Sequence, residues 1–129
     1  MKLGYLIIYV SDVEATLTFY QQAFNLKKTF LHESKQYAEI DMGSTKLAFT
    51  SETLAELNGI HFSENRPDKA PAGIEIAFVA KNVTQAFDLA IQAKAIPVKD
   101  PEEKPWGQTV AYVRDLNGVL IEICSPMSE

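Results

Sequence analysis

An α+β fold made of two βαβββ modules is what this sequence predicts. Two observations carry it: an internal repeat of about seventy residues, and a switch from strand-like to helix-like apolar spacing inside each copy. Laying "GYLIIYVSDVEATLTFYQQAFN", from Gly4, over "IEIAFVAKNVTQAFDLAIQAKA", from Ile74, brings Asp12 onto Asn82, Val13 onto Val83, Leu17 onto Phe87 and Ala23 onto Ala93. The later parts match as well. "YAEIDMGSTKLAF" lies over "AYVRDLNGVLIEI" with Asp41 on Asp115, Leu47 on Ile121 and Ala48 on Glu122.

Each copy opens with an apolar strand-like run, followed by Asp12 or Asn82 at a helix N-cap position, because a short side-chain oxygen satisfies the first free backbone amides. Ser11 with Glu14, and Asn82 with Gln85, have capping-box spacing. Val13, Leu17, Tyr20 and Phe24 then form one helical stripe, and Val83, Phe87, Ala90 and Ile91 the other. "FYQQAF", with Phe19, Tyr20 and Phe24, reads as helix-to-sheet packing. A strand follows in each copy, then a tight turn at Met42-Gly43-Ser44 or Leu116-Asn117-Gly118, then a second strand; Asn-Gly is a strong hairpin signal. The reading is one domain over residues 1–129: module one at about 1–50, a connector at 51–72 and module two at 73–127. The connector, "SETLAELNGIHFSENRPDKAPA", lacks periodicity and is rich in Pro, Asn, Ser and charge, with one helical turn expected at Thr53 to Leu57. One helix on a sheet of about four strands leaves the second face bare, so two copies are expected to bury something between them or to enclose a cavity.

Composition bounds the function. At 129 residues, 47% hydrophobic and 22% charged, the chain can build a core without staples. Twelve Lys and Arg against seventeen Asp and Glu give a formal charge of -5, with no basic run, which argues against nucleic acid or an anionic membrane as partner. The single cysteine, Cys124, excludes an internal disulfide and reads as a buried, inert thiol in an apolar strand. No apolar run approaches the roughly 18 residues that cross a bilayer. No charged leader with an apolar stretch and cleavage site precedes "GYLIIYV", so a cytoplasmic location is expected.

The side chains with chemistry fall on strands. Alternation puts Tyr5, Ile7 and Tyr9 on one face, Glu75, Ala77 and Val79 on the corresponding face of the second copy, and Leu120, Glu122 and Cys124 together. A carboxylate between apolar neighbours is costly against a helix and reasonable on a wet or ligand-bearing face. If Glu75 and Glu122 share that face, one carboxyl pKa rises unless a cation, or a donor such as Tyr5, lies between them. Trp106, in "KPWGQ", either staples its loop or offers a stacking wall to planar or cationic ligands. Tyr9, Tyr37, Phe49, Phe62 and Tyr112 are further wall candidates, and His32 and His61 read as surface residues. There is no Gly-rich phosphate loop, nucleophile elbow or paired-Cys motif; the arginines are Arg66 and Arg114, the latter placed to support the hairpin.

"VSDVEATLTFYQQAFNLK", its repeat "VAKNVTQAFDLAIQAKAI" and above all "WGQTVAYVRDLNGVLIEICSP" resemble the vicinal oxygen chelate superfamily of glyoxalases, bleomycin-resistance proteins and dioxygenases. The resemblance covers nearly the whole chain apart from the connector. It implies paired βαβββ modules with curved sheets forming an open cupped barrel, commonly as a homodimer. In metal-dependent members each module supplies one ligand from its first strand and one from its last, positions that correspond here to Tyr5, Ala48, Glu75 and Glu122. His and Glu are the usual ligands. The resemblance therefore implies metal-free sequestration of a planar or cationic compound such as an antibiotic, with negative charge from Glu75 and Glu122, a hydrogen bond from Tyr5, stacking on Trp106 and Ala48 in the lining. Two alternatives stay open, leaving undecided whether the protein is an enzyme. One is a metal-dependent lyase, isomerase or dioxygenase with a non-standard divalent site from Glu75, Glu122, Tyr5 and Gln108; the other is a metal-independent enzyme with a glutamate base.

Overall fold

The computed structural model describes residues 1–127, which form two compact units. The first holds residues up to Gln21 and Asn25–Asn65; the second holds Gln22–Phe24 and the chain from Arg66 on. In chain order the first unit contains β1 (Tyr5–Val10), α1 (Val13–Phe24, its last turn in the second unit), β2 (Thr29–Leu31), β3 (Tyr37–Asp41), β4 (Lys46–Ser51) and the short α2 (Glu52–Leu57). The second contains β5 (Glu75–Val79), α3 (Val83–Gln92), β6 (Ile96–Glu103), β7 (Thr109–Arg114) and β8 (Leu120–Cys124). The sheets run β1-β4-β3-β2 and β5-β8-β7-β6. In each, the first strand pairs parallel with the last and the remaining pairs are antiparallel, so both are mixed sheets of the same βαβββ order.

The helices form where the caps and stripes direct them. Asp12 is the N-cap of α1, its carboxylate accepting from Ala15 N at 2.9 Å, and Asn82 caps α3 by accepting from Gln85 N at 3.0 Å. The spacing of Ser11 and Glu14 suggests a capping box, but the cap lies one residue later, so Glu14 falls at the second helical position rather than the third. Asn25 ends α1 at φ 55, a left-handed conformation that Asn tolerates because its short amide bonds locally. Val13, Leu17 and Tyr20 are buried, and the Tyr20 ring meets Phe49 of β4 at 4.8 Å, so α1 covers the sheet face carrying Ile8, Leu47, Phe49, Ala38 and Ile40. Phe24, the last residue of that stripe, belongs to the second unit and lies 4.8 Å from Phe78 of β5. There α3 buries Val83, Phe87 and Ala90, with Ile91 half-buried, and packs on β6, β7 and β8. The matching sheet face is Ile121, Ile123, Ala111 and Val113, each at most 1% exposed.

The strand registers reproduce the repeat with one correction. Tyr5 pairs Lys46 as Glu75 pairs Leu120, and Ala48 pairs Ile7 as Glu122 pairs Ala77. Opposite Ala48, however, stands Glu39, and opposite Glu122 stands Tyr112, so β3 and β7 are offset by one residue from the match of Asp41 with Asp115. The second hairpin absorbs that residue in its turn. Met42 N donates to Thr45 O, whereas Asp115 N donates to Val119 O. Both turns use an aspartate in the same way, Asp41 accepting from Gly43 N and Asp115 from Asn117 N, each at 2.8 Å. Asn117-Gly118 does not form the tight two-residue turn that the dipeptide suggests: only Gly118, at φ 92, is left-handed, and the buried Asp115 also accepts from Val119 N.

Arg114 then ties the connector to this hairpin. Its Nε donates to Gly118 O at 2.8 Å, Nη1 to Pro67 O, and Nη2 to Arg66 O and Lys69 O. The helical turn expected at Thr53 begins one residue earlier, because the Ser51 hydroxyl accepts from Leu54 N and caps α2. A Cβ at Gly118 would stand 2.5 Å from Arg66 O and 2.6 Å from Arg114 Nη2, whereas one at Gly43, of similar φ, meets nothing within 4 Å. Gly43→Ala is expected to cost about 1 kcal/mol of backbone strain and Gly118→Ala about 1–3 kcal/mol more, read from urea midpoints. Equal costs would show that the connector yields freely.

Candidate functional site

On the second unit, register and alternation place Glu75, Ala77 and Val79 of β5, Leu120, Glu122 and Cys124 of β8, and Val110, Tyr112 and Arg114 of β7 on the face away from α3. Glu75 pairs two residues before Glu122's partner Ala77, so the two carboxyls are diagonal neighbours. A hydrogen bond with Glu122 is the largest cause holding the Glu75 carboxyl above the usual range; burial and the neighbouring negative charge add to it. The Tyr112 hydroxyl donates to Glu122 Oε1 at 3.1 Å. Burial, then the Glu122 hydrogen bond and charge, push the Tyr112 phenol up, and the same causes raise the Cys124 thiol, which is 5% exposed. The cluster is therefore two neighbouring carboxyl groups, that of Glu75 raised, with the Tyr112 phenol and the Cys124 thiol beside them. The thiol is held in its unreactive protonated form, as expected of a buried cysteine.

On the first unit the equivalent face carries Tyr5, Ile7 and Tyr9 of β1, Lys46, Ala48 and Thr50 of β4, Tyr37, Glu39 and Asp41 of β3, and Phe30 of β2. Ala48 lies at its centre, buried. Directly across from it, Glu39 accepts from the Tyr37 hydroxyl at 2.7 Å and from Lys46 Nζ at 3.0 Å. The Tyr37 bond is the largest cause lowering the Glu39 carboxyl, with Lys46 assisting against burial; the Glu39 bond in turn raises Lys46. Burial first, then Glu39, raises Tyr37. At the end of β1, Phe62 of the connector meets the Tyr9 ring edge-on at 4.9 Å, and Asn65 Nδ2 donates to Tyr9 O.

The structure brings Glu75 and Glu122 together and supplies their donor from Tyr112; Tyr5 instead interacts electrostatically with Tyr37 and Lys46 in the first unit. Trp106 is 58% exposed, with its indole Nε1 donating to Gln108 Oε1 at 2.8 Å. The Gln108 amide donates to Ser125 O at 2.8 Å, so this side chain is committed to fixing the loop. Phe49 is a core residue under α1, and His32 bonds Ser34 in its own turn. Lys46, Glu39 and Phe30 are site-face residues that sequence reading missed; the alternation through "YAEID" and "KLAF" was the signal that could have found Glu39 and Lys46.

The glyoxalase-like domain family matches residues 3–128. The chain belongs to the glyoxalase-like family. It is similar to an uncharacterized protein, YraH, of Bacillus subtilis (strain 168), 29% identical over 126 residues that cover 95% of this chain and 97% of that protein. Among solved structures it resembles a glyoxalase-related enzyme from Fulvimarina pelagi, with TM-score 0.83 and 20% identity over 98% of this chain and 88% of that one. It also resembles a glyoxalase/bleomycin resistance protein/dioxygenase family enzyme from Burkholderia phytofirmans PsJN, with TM-score 0.74 and 22% identity over 97% and 98% of the two chains. At these identities the structural matches show the fold.

A family-type divalent metal does not fit these residues. Such a site takes about three protein ligands, with imidazole preferred by zinc and nickel. Ala48 has no donor atom, Glu39 beside it already holds an ammonium, and Glu75 and Glu122 share a hydrogen bond that a metal would have to displace. Among the described residues no group of three or more His, Cys, Asp and Glu is placed to hold a metal ion.

The carboxyls of the two units titrate in opposite senses. Glu75 is raised by folding, so its contribution is fully present below its unfolded pKa and is lost as pH rises through the folded one. Glu39 is lowered, so its contribution is present above its unfolded pKa and is lost as pH falls. Urea unfolding against pH should show Glu75→Gln abolishing a loss of stability on the alkaline side of the usual carboxylate range. Glu39→Gln should abolish a loss on the acid side. An unchanged alkaline limb in Glu75→Gln would disprove the raised Glu75 carboxyl.

Proposed function

We propose that the protein binds a small planar or cationic organic compound, such as an antibiotic, without a metal, through the face of β5, β7 and β8. The observation that carries this reading is the Glu75–Glu122 pair on a face no helix covers, with Tyr112 orienting one carboxylate. Because the Glu75 carboxyl is raised, a cation that favours its ionised form displaces protons on binding, which makes cation binding proton-linked. Trp106, fixed by Gln108 yet exposed, supplies a planar stacking surface. The acidic balance suits a cationic ligand and argues against nucleic acid. Among the described residues no helix is long and apolar enough to cross a membrane. A cytoplasmic homodimer is the assembly expected with this reading.

A second reading, metal-independent acid–base catalysis, draws on the same raised Glu75 carboxyl beside Glu122.

The test is Trp106 fluorescence titrated with N-methylquinolinium and with its uncharged twin, quinoline. The cation is expected to bind more tightly, with affinity rising with pH through the Glu75 titration and falling about tenfold or more in Glu122→Gln. Elemental analysis after incubation with nickel, zinc, iron(II) and manganese is expected to find no stoichiometric metal. Retained metal that Glu122→Gln abolishes would replace this reading with a metal-dependent one, and equal affinity for cation and twin would remove the electrostatic role of the pair.

A further inference from the structure

The uncovered face of the first unit carries a different chemistry. Among the strand residues of that face Lys46 is the lone cation, 43% exposed as a side chain, with Asp41 directly across from it on β3 and Glu39 as its ion-pair partner. It is not a freely swinging lysine. Glu39 holds its ammonium at 3.0 Å, and Glu39 is itself held at 2.7 Å by the Tyr37 hydroxyl, so three consecutive side chains fix where the charge stands. An ammonium has three N–H donors and Glu39 takes one of them.

Around this charge the same face exposes apolar surface. Tyr5 is directly opposite Lys46 and 49% exposed, Ile7 is opposite Ala48 and 46% exposed, and Phe30 is opposite Glu39 and 51% exposed. Ala48 between them adds only a methyl group. The arrangement is a positioned cation beside a shelf of exposed aromatic and aliphatic side chains, which matches a ligand of opposite build: an anionic head on an apolar, planar body. In the second unit the arginine of the equivalent face, Arg114, is engaged with Gly118 O, Arg66 O, Pro67 O and Lys69 O, and Lys99 of β6 stands opposite Tyr112.

We infer that the β1–β4–β3 face of the first unit is an anion-binding site, in which Lys46 takes the carboxylate or phenolate oxygen of an aromatic compound and Tyr5, Ile7 and Phe30 take its ring. Glu39 and Tyr37 are positioning residues that order the ammonium. This site does not depend on the cation reading of the Glu75–Glu122 pair.

The test uses benzoate and its neutral counterpart benzamide, followed by amide NMR of the full nitrogen-labelled chain. Benzoate is expected to shift the signals of Tyr5, Phe30 and Lys46, with benzamide about tenfold weaker or more, and to weaken as salt is added. Lys46→Met, which keeps an aliphatic stem, should abolish the preference for benzoate, and Lys46→Arg should retain it; spectral dispersion reports that both variants fold. Glu122→Gln should leave benzoate binding intact while weakening N-methylquinolinium, so a native protein that prefers benzoate over benzamide but binds N-methylquinolinium and quinoline equally sinks the cation reading and not this one. Equal binding of benzoate and benzamide, absence of saturable binding, shifts confined to the second unit, or a benzoate preference that survives Lys46→Met would each overturn the site.

Discussion

The parallel pairing of the first strand with the last, β1 with β4 and β5 with β8, is the constraint on which the rest of each unit depends. A parallel pair cannot be closed by a short hairpin, so the chain between the two strands must cross over, and it does so through a helix that lands on one face. That assigns the two parities of every strand. Ile121 and Ile123 go under α3, and Glu122 between them goes to the opposite side. A shift of one residue in either pairing would send the carboxylate into the apolar layer and the isoleucines out of it. The large unfavourable free energy of burying an unpaired carboxylate is what holds the register.

Having made the same frame twice, the chain has furnished the two faces with different charged groups. Where the second unit has Glu75 and Glu122, the first has Tyr5 and Ala48; where the second has Tyr112, the first has Glu39 with Lys46 at hand. In the second unit two carboxyls meet, and the pKa of Glu75 is raised. In the first, a carboxylate and an ammonium meet, and both stay ionised. Both arrangements are ordered by a tyrosine hydroxyl donating to a glutamate, along β3 from Tyr37 to Glu39 in the first unit and across the β7–β8 pair from Tyr112 to Glu122 in the second. At the family's last-strand ligand position the first unit carries the methyl group of Ala48 and the second the carboxyl of Glu122.

The connector also has a physical role beyond linkage. Its Phe62 and Asn65 are fixed to Tyr9, and its residues 66–69 present carbonyls to Arg114. Carbonyls that would otherwise face solvent in an irregular segment are satisfied by one guanidinium whose fork geometry can reach several at once. Gly118 is the cost of that close approach, since only a residue without a side chain leaves room for it. The dipeptide Asn117-Gly118 thus serves the packing of the connector more than the tightness of the turn.

By itself the sequence determined the order of elements, the caps at Asp12 and Asn82, the helical stripes and the parity of Tyr5, Glu75 and Glu122, because these follow from local hydrogen bonding and from periodicities of two and 3.6 that any neighbour in sequence can report. It also carried the family, through motifs spread over both copies. Only the tertiary structure decided which residues stand across from one another: that Tyr112 rather than Tyr5 serves Glu122, that Glu39 rather than a ligand at 48 occupies the middle of the first face, and that Phe24 belongs with Phe78. Those outcomes hang on a one-residue difference in turn length and on pairings between strands many residues apart. Local propensity does not encode them, because the free energy that selects them exists only once both partners are in place.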